Sequence, residues 1–297
     1  MNSLTLDMIR NLNAALQRWQ QRDDVVAVVL SGHGNKAFCA GGDIQALYRS
    51  CIANQQAGAE VDDYARRFFT EEYQLDLVLH EYPKPVLTLG HGVVMGGGFG
   101  LLSASRFRVL TERSRLAFPE ITIGLFPDAG GSWVLKNLAL PVAAFLGLTG
   151  SQLNARDALQ LSIGTHVIDH ESRQRLAERL LALPWAMRAE QDNAELIEQL
   201  LSSVHKEPSD LENELAALPD WQVAVDDLQA TAKALSALAG ASPWVDKGLA
   251  NFAQGCPTTA AIVLEQLRRV ADLTLAESFA MELNIATRCA QLADFPE

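Results

Sequence analysis

Two carboxylates, Glu120 and Asp128, stand eight residues apart in Phe118-Pro119-Glu120-Ile121-Thr122-Ile123-Gly124-Leu125-Phe126-Pro127-Asp128-Ala129-Gly130-Gly131, with no basic residue between them. Nearly every neighbour is apolar, Gly or Pro, and a charged side chain is rarely buried without a partner or a task. Two readings follow: exposed acids engaged in surface salt bridges, or a desolvated pair that titrates together, one acid accepting a proton while the other holds or donates one. Upstream, Met95-Gly96-Gly97-Gly98-Phe99-Gly100 places three consecutive glycines at an expected helix start. Each costs roughly 1 kcal/mol against alanine, which suits exposed backbone amides or very close packing. Ala40-Gly41-Gly42-Asp43-Ile44 offers a second set of amides at a helix start, or an ordinary tight turn. Proton-handling carboxylates beside bare amides suit acyl chemistry.

Competing signatures fail. From Gly90 and Gly92, Met95 occupies the third glycine position of a dinucleotide fingerprint, and no G-x-x-x-x-G-K-[ST] occurs. Gly130-Gly131-Ser132-Trp133-Val134 ends in valine where a nucleophile elbow needs glycine. His166 and His170 lack the intervening glutamate of a zinc helix, which leaves strand-end or surface histidines and no metal ligands. Arg106, Arg108, Arg113 and Arg115 read as a solvated strand edge or a phosphate contact.

The elements that must position these groups follow from periodicity. Thr5 is an expected N-cap for a helix over 6–21, with Ile9, Leu12, Leu16 and Trp19 on one face. Val25–Leu30, Pro85–Gly90, Phe107–Thr111 and Arg115–Phe118 read as strands. Asp43 caps a helix running toward Ala53; Tyr64–Glu81 and Gly97–Ser105 are further helices. This alternation predicts an α/β domain with a largely parallel sheet, in which ligands gather where strands end and helices begin. Beyond about residue 170 only helices are expected, over 171–183, 193–205, 211–218, 224–239 and 258–270, with a boundary near residue 190.

The bulk properties exclude several classes. The 297 residues are 48% hydrophobic and 20% charged, without an apolar run of membrane-spanning length or a secretory leader. Residues 1–150 carry 14 acids and 13 bases and residues 151–297 carry 22 and 11, so neither part offers the basic surface that nucleic acid requires. Cys39, Cys51, Cys256 and Cys289 form no CxxC pair, which points to reduced thiols in a cytoplasmic protein.

At the residues above, the chain resembles the crotonase (enoyl-CoA hydratase/isomerase) superfamily. Phe38-Cys39-Ala40-Gly41-Gly42-Asp43-Ile44 and His91-Gly92-Val93-Val94-Met95-Gly96-Gly97-Gly98 are similar to its two oxyanion-hole segments. Within it, Phe69-Thr70-Glu71-Glu72-Tyr73, the run from Pro119-Glu120 to Gly131, Leu148-Thr149-Gly150, Ser242-Pro243 and Leu264–Arg269 look like the 3-hydroxyisobutyryl-CoA hydrolases. Hydratases carry a catalytic glutamate where this chain has Gly100, match Glu120 with their second, and have glycine at Asp128.

The resemblance implies a spiral ββα core over 1–190 and a helical C-terminal region over 191–297. It implies hydrolysis of a short 3-hydroxyacyl-CoA thioester, 3-hydroxyisobutyryl-CoA of valine breakdown foremost. Enoyl-CoA hydration or isomerisation, or non-catalytic acyl-CoA binding, are the alternatives. Implied catalytic groups are Glu120, Asp128 and the Gly42 and Gly97 amides; Ala40, Asp43, Ile44 and Glu72 join them at the substrate, with Glu72 on its 3-hydroxyl. No metal or redox cofactor is implied, since coenzyme A belongs to the substrate; acyl-CoA is the expected partner, nucleic acid and membrane are not, and a homo-oligomer is open. Family members have a strand and basic loop before the segment matching Met1–Leu4, and the hydrolases continue beyond Asp294-Phe295-Pro296-Glu297. Part of the usual CoA cradle is therefore expected to be missing.

Overall fold

The computed structural model describes residues 1–291 and Phe295; Asp294, Pro296 and Glu297 of the terminal run lie outside the described residues. Helix α1 (Leu6–Gln20) begins at Thr5, whose hydroxyl accepts the Met8 N–H as expected. Then come β1 (Val28–Ser31), β2 (Ala37–Cys39), α2 (Ile44–Ala57), α3 (Tyr64–His80), β3 (Val86–Gly90), β4 (Val93–Met95), α4 (Gly97–Ser103), β5 (Phe107–Thr111) and β6 (Arg115–Ala117). A 3₁₀ turn over Pro119–Ile123 leads to α5 (Gly131–Lys136), α6 (Leu140–Thr149), α7 (Ala155–Gln160) and β7 (His166–Ile168). The rest is α8 (Arg173–Leu181), α9 (Glu190–Val204), α10 (Leu228–Ser236), α11 (Pro243–Gln254), α12 (Pro257–Val270) and α13 (Leu275–Cys289).

The strands form two parallel sheets, β1-β3-β5-β7 and β2-β4-β6. Successive strands alternate between them, so each turn of the chain adds one strand to each sheet before a helix returns it, which is the expected ββα spiral. In the smaller sheet Val93 pairs with Ala37 and Arg115, and Met95 pairs with Ala117. The C-terminal ends of β2, β4 and β6 therefore lie side by side. From them issue Ala40-Gly41-Gly42, Gly96-Gly97 and Phe118-Pro119-Glu120. Parallel pairing thus gathers three segments that are far apart in sequence at one edge.

Three strands escape the sequence reading. β2 and β4 are three-residue strands inside glycine-rich runs, and β7 is a three-residue strand ahead of His170. Such lengths give periodicity nothing to register. The helix expected over 211–218 reduces to a 3₁₀ turn, Leu215–Ala217. Side chains of the α7 region take its backbone groups instead: Asn154 bonds the Glu212 carbonyl, Arg156 the Leu211 carbonyl, and Asp157 accepts the Leu215 N–H. This is a tertiary override of local propensity. The helix expected from residue 224 starts at Leu228, capped by Asp227.

Packing runs across residue 190. The outer face of the larger sheet (Leu87, Leu89, Phe107, Val109, Ile168) is covered by Leu176 and Leu180 of α8 and Ile197, Leu200 and Leu201 of α9. Leu201 is fully buried there. Leu201→Ala leaves a cavity that the rigid sheet cannot close, and is expected to lower the unfolding free energy by about 3 kcal/mol. A urea titration showing less than a third of that loss would place α9 outside the core.

Candidate active site

The smaller sheet's edge leaves two amides unspent. Leu4 N–H donates to the Gly41 carbonyl, Asp43 N–H to the Leu4 carbonyl and Ala40 N–H to the Met1 carbonyl. The neighbours of Gly42 are thereby tied down while, among the described residues, its own N–H has no acceptor. Gly97 is the first residue of α4, where no intrahelical acceptor exists, and its N–H is equally uncommitted. Gly96 reaches this position at φ 51°, ψ −130°, a region open essentially to glycine alone. The two loops abut: a Cβ placed on Gly41 would lie 3.9 Å from the Gly97 nitrogen.

Glu120 closes the third side. Pro119 starts its 3₁₀ turn with φ already set, and a Cβ on Gly96 would lie 3.5 Å from Glu120 Oε1. Glu120 is 4% exposed, and its Oε2 has no partner among the described residues, which rules out the surface salt bridge. Asp128 is also buried and accepts the Tyr73 hydroxyl. Glu72 lies against the glycine turn: its Oε1 would be 2.0 Å from a Cβ on Gly97, so only glycine lets the carboxyl sit there.

Glu120, Asp128, Glu72, Gly42 and Gly97 are thus brought together. Asp43 spends its carboxylate on the Ala46 N–H as the N-cap of α2, and the Ala40 amide is committed to Met1. Ile44 borders a groove of about 800 Å³ that Tyr48, Arg49, Thr122, Gly124 and Cys256 also line. The groove runs beside the turn that carries Glu120.

The sequence reading does not single out Asp76, Glu282, Ser132 or Gln266. Asp76 is fully buried on α3, one turn beyond Glu72, with both carboxyl oxygens unpartnered among the described residues. Its only sequence signal is a four-residue step from Glu72 on a helix with a buried face. Glu282 arrives from α13 and accepts the Gly130 and Ser132 N–H groups at 2.8 Å each. Gln266 donates to the Pro127 carbonyl and the Ser132 hydroxyl. These bonds hold the Asp128 loop, in which Ala129 adopts φ 51°, a conformation costly for a residue with a Cβ. Nothing in sequence marks Glu282, about 150 residues away.

Burial dominates the electrostatics. It pushes Glu72, Asp76 and Glu120 well above the usual carboxylate range, and neighbouring carboxylates add to the shift. Asp128 is raised to about 6, the Tyr73 hydroxyl pulling the other way. Glu282 is raised to about 7 despite hydrogen bonds from Ser132 and Gly130. Burial also lifts the Cys39 and Cys51 thiols to about 12 and 11, so neither supplies a ready thiolate.

Other candidates are occupied elsewhere. Arg108 bonds the Ser105, Ser162 and Ile163 carbonyls, Arg113 pairs with Glu171, and Arg115 bonds the Glu112 and Ser114 carbonyls. His166 faces Glu198 while His170 faces Arg173. Among the described residues no group of three or more His, Cys, Asp or Glu is arranged to hold a metal ion, and no helix is long and apolar enough to cross a membrane.

Two unspent amides at neighbouring strand ends, facing a buried glutamate across a two-sheet spiral, agree with a family match over residues 1–297. The chain belongs to the enoyl-CoA hydratase/isomerase family. Similar relatives include the mitochondrial 3-hydroxyisobutyryl-CoA hydrolases of Bos taurus, 35% identical, and Homo sapiens, 34% identical; each alignment covers the whole chain and 75% of the relative. Among solved structures, a carnitinyl-CoA dehydratase from Mycobacterium thermoresistibile superimposes with TM-score 0.83 at 26% identity, over 99% of this chain and 81% of that one. An enoyl-CoA hydratase from Rhodobacter sphaeroides 2.4.1 gives 0.77 at 28%, with the same coverage. The family membership and the crotonase-type fold expected from the sequence both hold.

The raised acids fix the sign of a pH effect. A carboxyl that stays protonated in the folded chain while its unfolded counterpart ionises contributes stability in full below about pH 4. That contribution is lost as pH rises through the folded value, about 7 for Glu282. In urea titrations from pH 4.5 to 8, Glu282→Gln is expected to gain on the wild type as pH rises. A stability difference independent of pH would count against a raised Glu282.

Proposed function

We propose that this enzyme hydrolyses a short 3-hydroxyacyl-CoA thioester, with 3-hydroxyisobutyryl-CoA the first substrate to test. The names of the relatives at 34–35% identity support the acyl group. The observation that carries the chemistry is the setting of Gly100. A Cβ there would meet the Ala129 carbonyl oxygen at 2.6 Å and Asp76 Oδ2 at 2.9 Å. No acid can act from that position, so Glu120 faces the Gly96-Gly97 turn without the opposed glutamate on α4 that alkene hydration would use.

In this reading the thioester oxygen accepts the Gly42 and Gly97 N–H groups, each such donor being worth about 3 kcal/mol in the transition state. Glu120 delivers the reacting oxygen, as nucleophile through an anhydride or as base on water. Its raised pKa makes it a stronger base, once ionised, than an ordinary glutamate. Glu72, neutral in its buried position, donates to the 3-hydroxyl. At rest the pair's negative charge sits on Asp128, the more acidic member, steadied by Tyr73; movement of the Glu120 proton to Asp128 when substrate binds leaves Glu120 ionised for its role. The groove beside Ile44 and Arg49 gives the pantetheine arm its approach. Coenzyme A enters with the substrate, and every proposed step uses only water and this chain's own groups.

Thiol release over a panel of acyl-CoAs, run beside crotonyl-CoA hydration, tests the reading. Short 3-hydroxyacyl thioesters are expected to turn over fastest; hydration outrunning thiol release would overturn the proposal. Glu120→Gln is expected to lower kcat by about 10³-fold. Gly97→Ala, which pushes Glu72 aside, is expected to lower it by about 10²-fold.

A further inference from the structure

We infer that Glu72, Asp76 and His80 form a proton path through the protein, leading from the reaction site to a second cavity at the C-terminal end of α3. The inference rests on the thioester-hydrolase reading above.

The three residues follow one another at i, i+4 and i+8 on α3, so neighbours in the series are one helical turn apart, with Cβ atoms about 5–6 Å from each other. What faces them is bare backbone. Gly97 faces Glu72; Gly100, one turn along α4, faces Asp76. Gly130, at the start of α5, faces His80, whose Nε2 would lie 3.8 Å from a Cβ placed there. The seam between α3 and the α4–α5 layer is therefore filled by the polar ends of α3. Along it, Glu72 Oε1, both Asp76 oxygens and His80 Nε2 are buried without partners among the described residues. Native interiors seldom leave one such atom unsatisfied, and four in sequence from one helix need a reason. At its far end the His80 ring borders a cavity of about 540 Å³, which Ser103, Arg108, Trp133, Asn137 and Ser162 also line.

The charged and titratable surroundings suit transfer over storage. Asp128 and Glu282 face Asp76 from outside α3, and with Glu72 and burial they hold it protonated. His80 sits against Phe279, and burial together with Arg108 holds it neutral, near 4. A protonated acid can pass its proton on while receiving another on its second oxygen, and both Asp76 oxygens, without a protein partner among the described residues, are open to waters that would bridge them to Glu72 and His80.

Hydrolysis of RCO–SCoA by water yields RCOO⁻, CoA–SH and one proton. In the proposed step, once product has left, the proton taken from water at Glu120 and Asp128 passes to a Glu72 oxygen as the Glu72 O–H proton moves through a bridging water to Asp76. The Asp76 O–H proton moves in the same way, through a bridging water, to His80 Nε2, and the Nδ1–H proton leaves to water in the cavity. Only O–H and N–H bonds form and break, and no electron changes hands. The ring then returns to its starting tautomer by rotation or exchange with the cavity water.

The test is steady-state thiol release in dilute, non-imidazole buffer, with and without added imidazole. His80→Ala is expected to lower kcat about tenfold with KM unchanged. Imidazole entering the enlarged cavity is expected to restore kcat, and the solvent deuterium isotope effect on kcat is expected to rise. Asp76→Asn keeps the shape but not the acid proton; it is expected to lose kcat similarly without rescue by imidazole. An unchanged kcat in folded His80→Ala or Asp76→Asn, or a loss in His80→Ala that imidazole leaves untouched, overturns the path. Wild-type protein releasing no thiol from any acyl-CoA would instead overturn the hydrolase reading.

Discussion

Five carboxyl groups, Glu72, Asp76, Glu120, Asp128 and Glu282, share one desolvated volume in which burial is the largest influence on each. Two unit charges about 5 Å apart at an effective dielectric near 20 repel by about 3 kcal/mol, before any desolvation cost. Five ionised groups are therefore untenable, and the cluster holds most of its protons at neutral pH. The stabilising partners are neutral donors: the Tyr73 hydroxyl on Asp128, and the Gly130 and Ser132 amides on Glu282. A lysine or arginine in their place would pin a fixed negative charge beside it and remove the proton mobility that acid–base work requires.

Everything structural around the cluster serves to hold it dry and in register. Parallel pairing of β2, β4 and β6 puts three loop starts side by side, and Leu4 fastens the first of them through the atoms that flank the Gly42 amide. The other wall is helical. α3 contributes three polar residues from one face, and α13 reaches across the sequence to cap the Asp128 loop with Glu282. That capping offsets the strained Ala129 backbone, so the C-terminal helices are part of the site's scaffold.

The parts of this arrangement that were legible in sequence are those built from local signals. Gly41-Gly42 and Gly96-Gly97 announce themselves because consecutive glycines at helix starts are costly, and Glu120 and Asp128 because two acids in an apolar run need a reason. Thr5 and Asp43 act as the caps their types suggest. What was hidden is what three-dimensional contact creates. The three-residue strands β2, β4 and β7 exist through pairing with neighbours that are themselves distant. The 211–218 segment looks helical but gives its backbone groups to Asn154, Arg156 and Asp157. Glu282 resembles any acid on an amphipathic helix. Asp76 differs only in lying one turn beyond Glu72, a step that means little until the glycines opposite are known.

Those glycines bear on how one scaffold can carry more than one chemistry. A side chain at residue 100 and the present positions of Asp76 and Ala129 are mutually exclusive, because a Cβ there would lie within 3.0 Å of both residues. Placing an acid on α4 would require Asp76 to leave the seam and the Asp128 loop to move. It would also bring another carboxyl into a volume already short of counter-charge. Placing the acids on α3 and on the loop before α5 leaves the Gly96-Gly97 turn open and gives Glu72 room against Gly97. The exchange is coupled at every position: Gly97 and Gly100 must lack side chains for Glu72 and Asp76 to sit where they do, and Glu282 must hold Gly130 for Ala129 to keep its carbonyl against Gly100. A single substitution at Gly100 therefore cannot convert one carboxyl arrangement into the other.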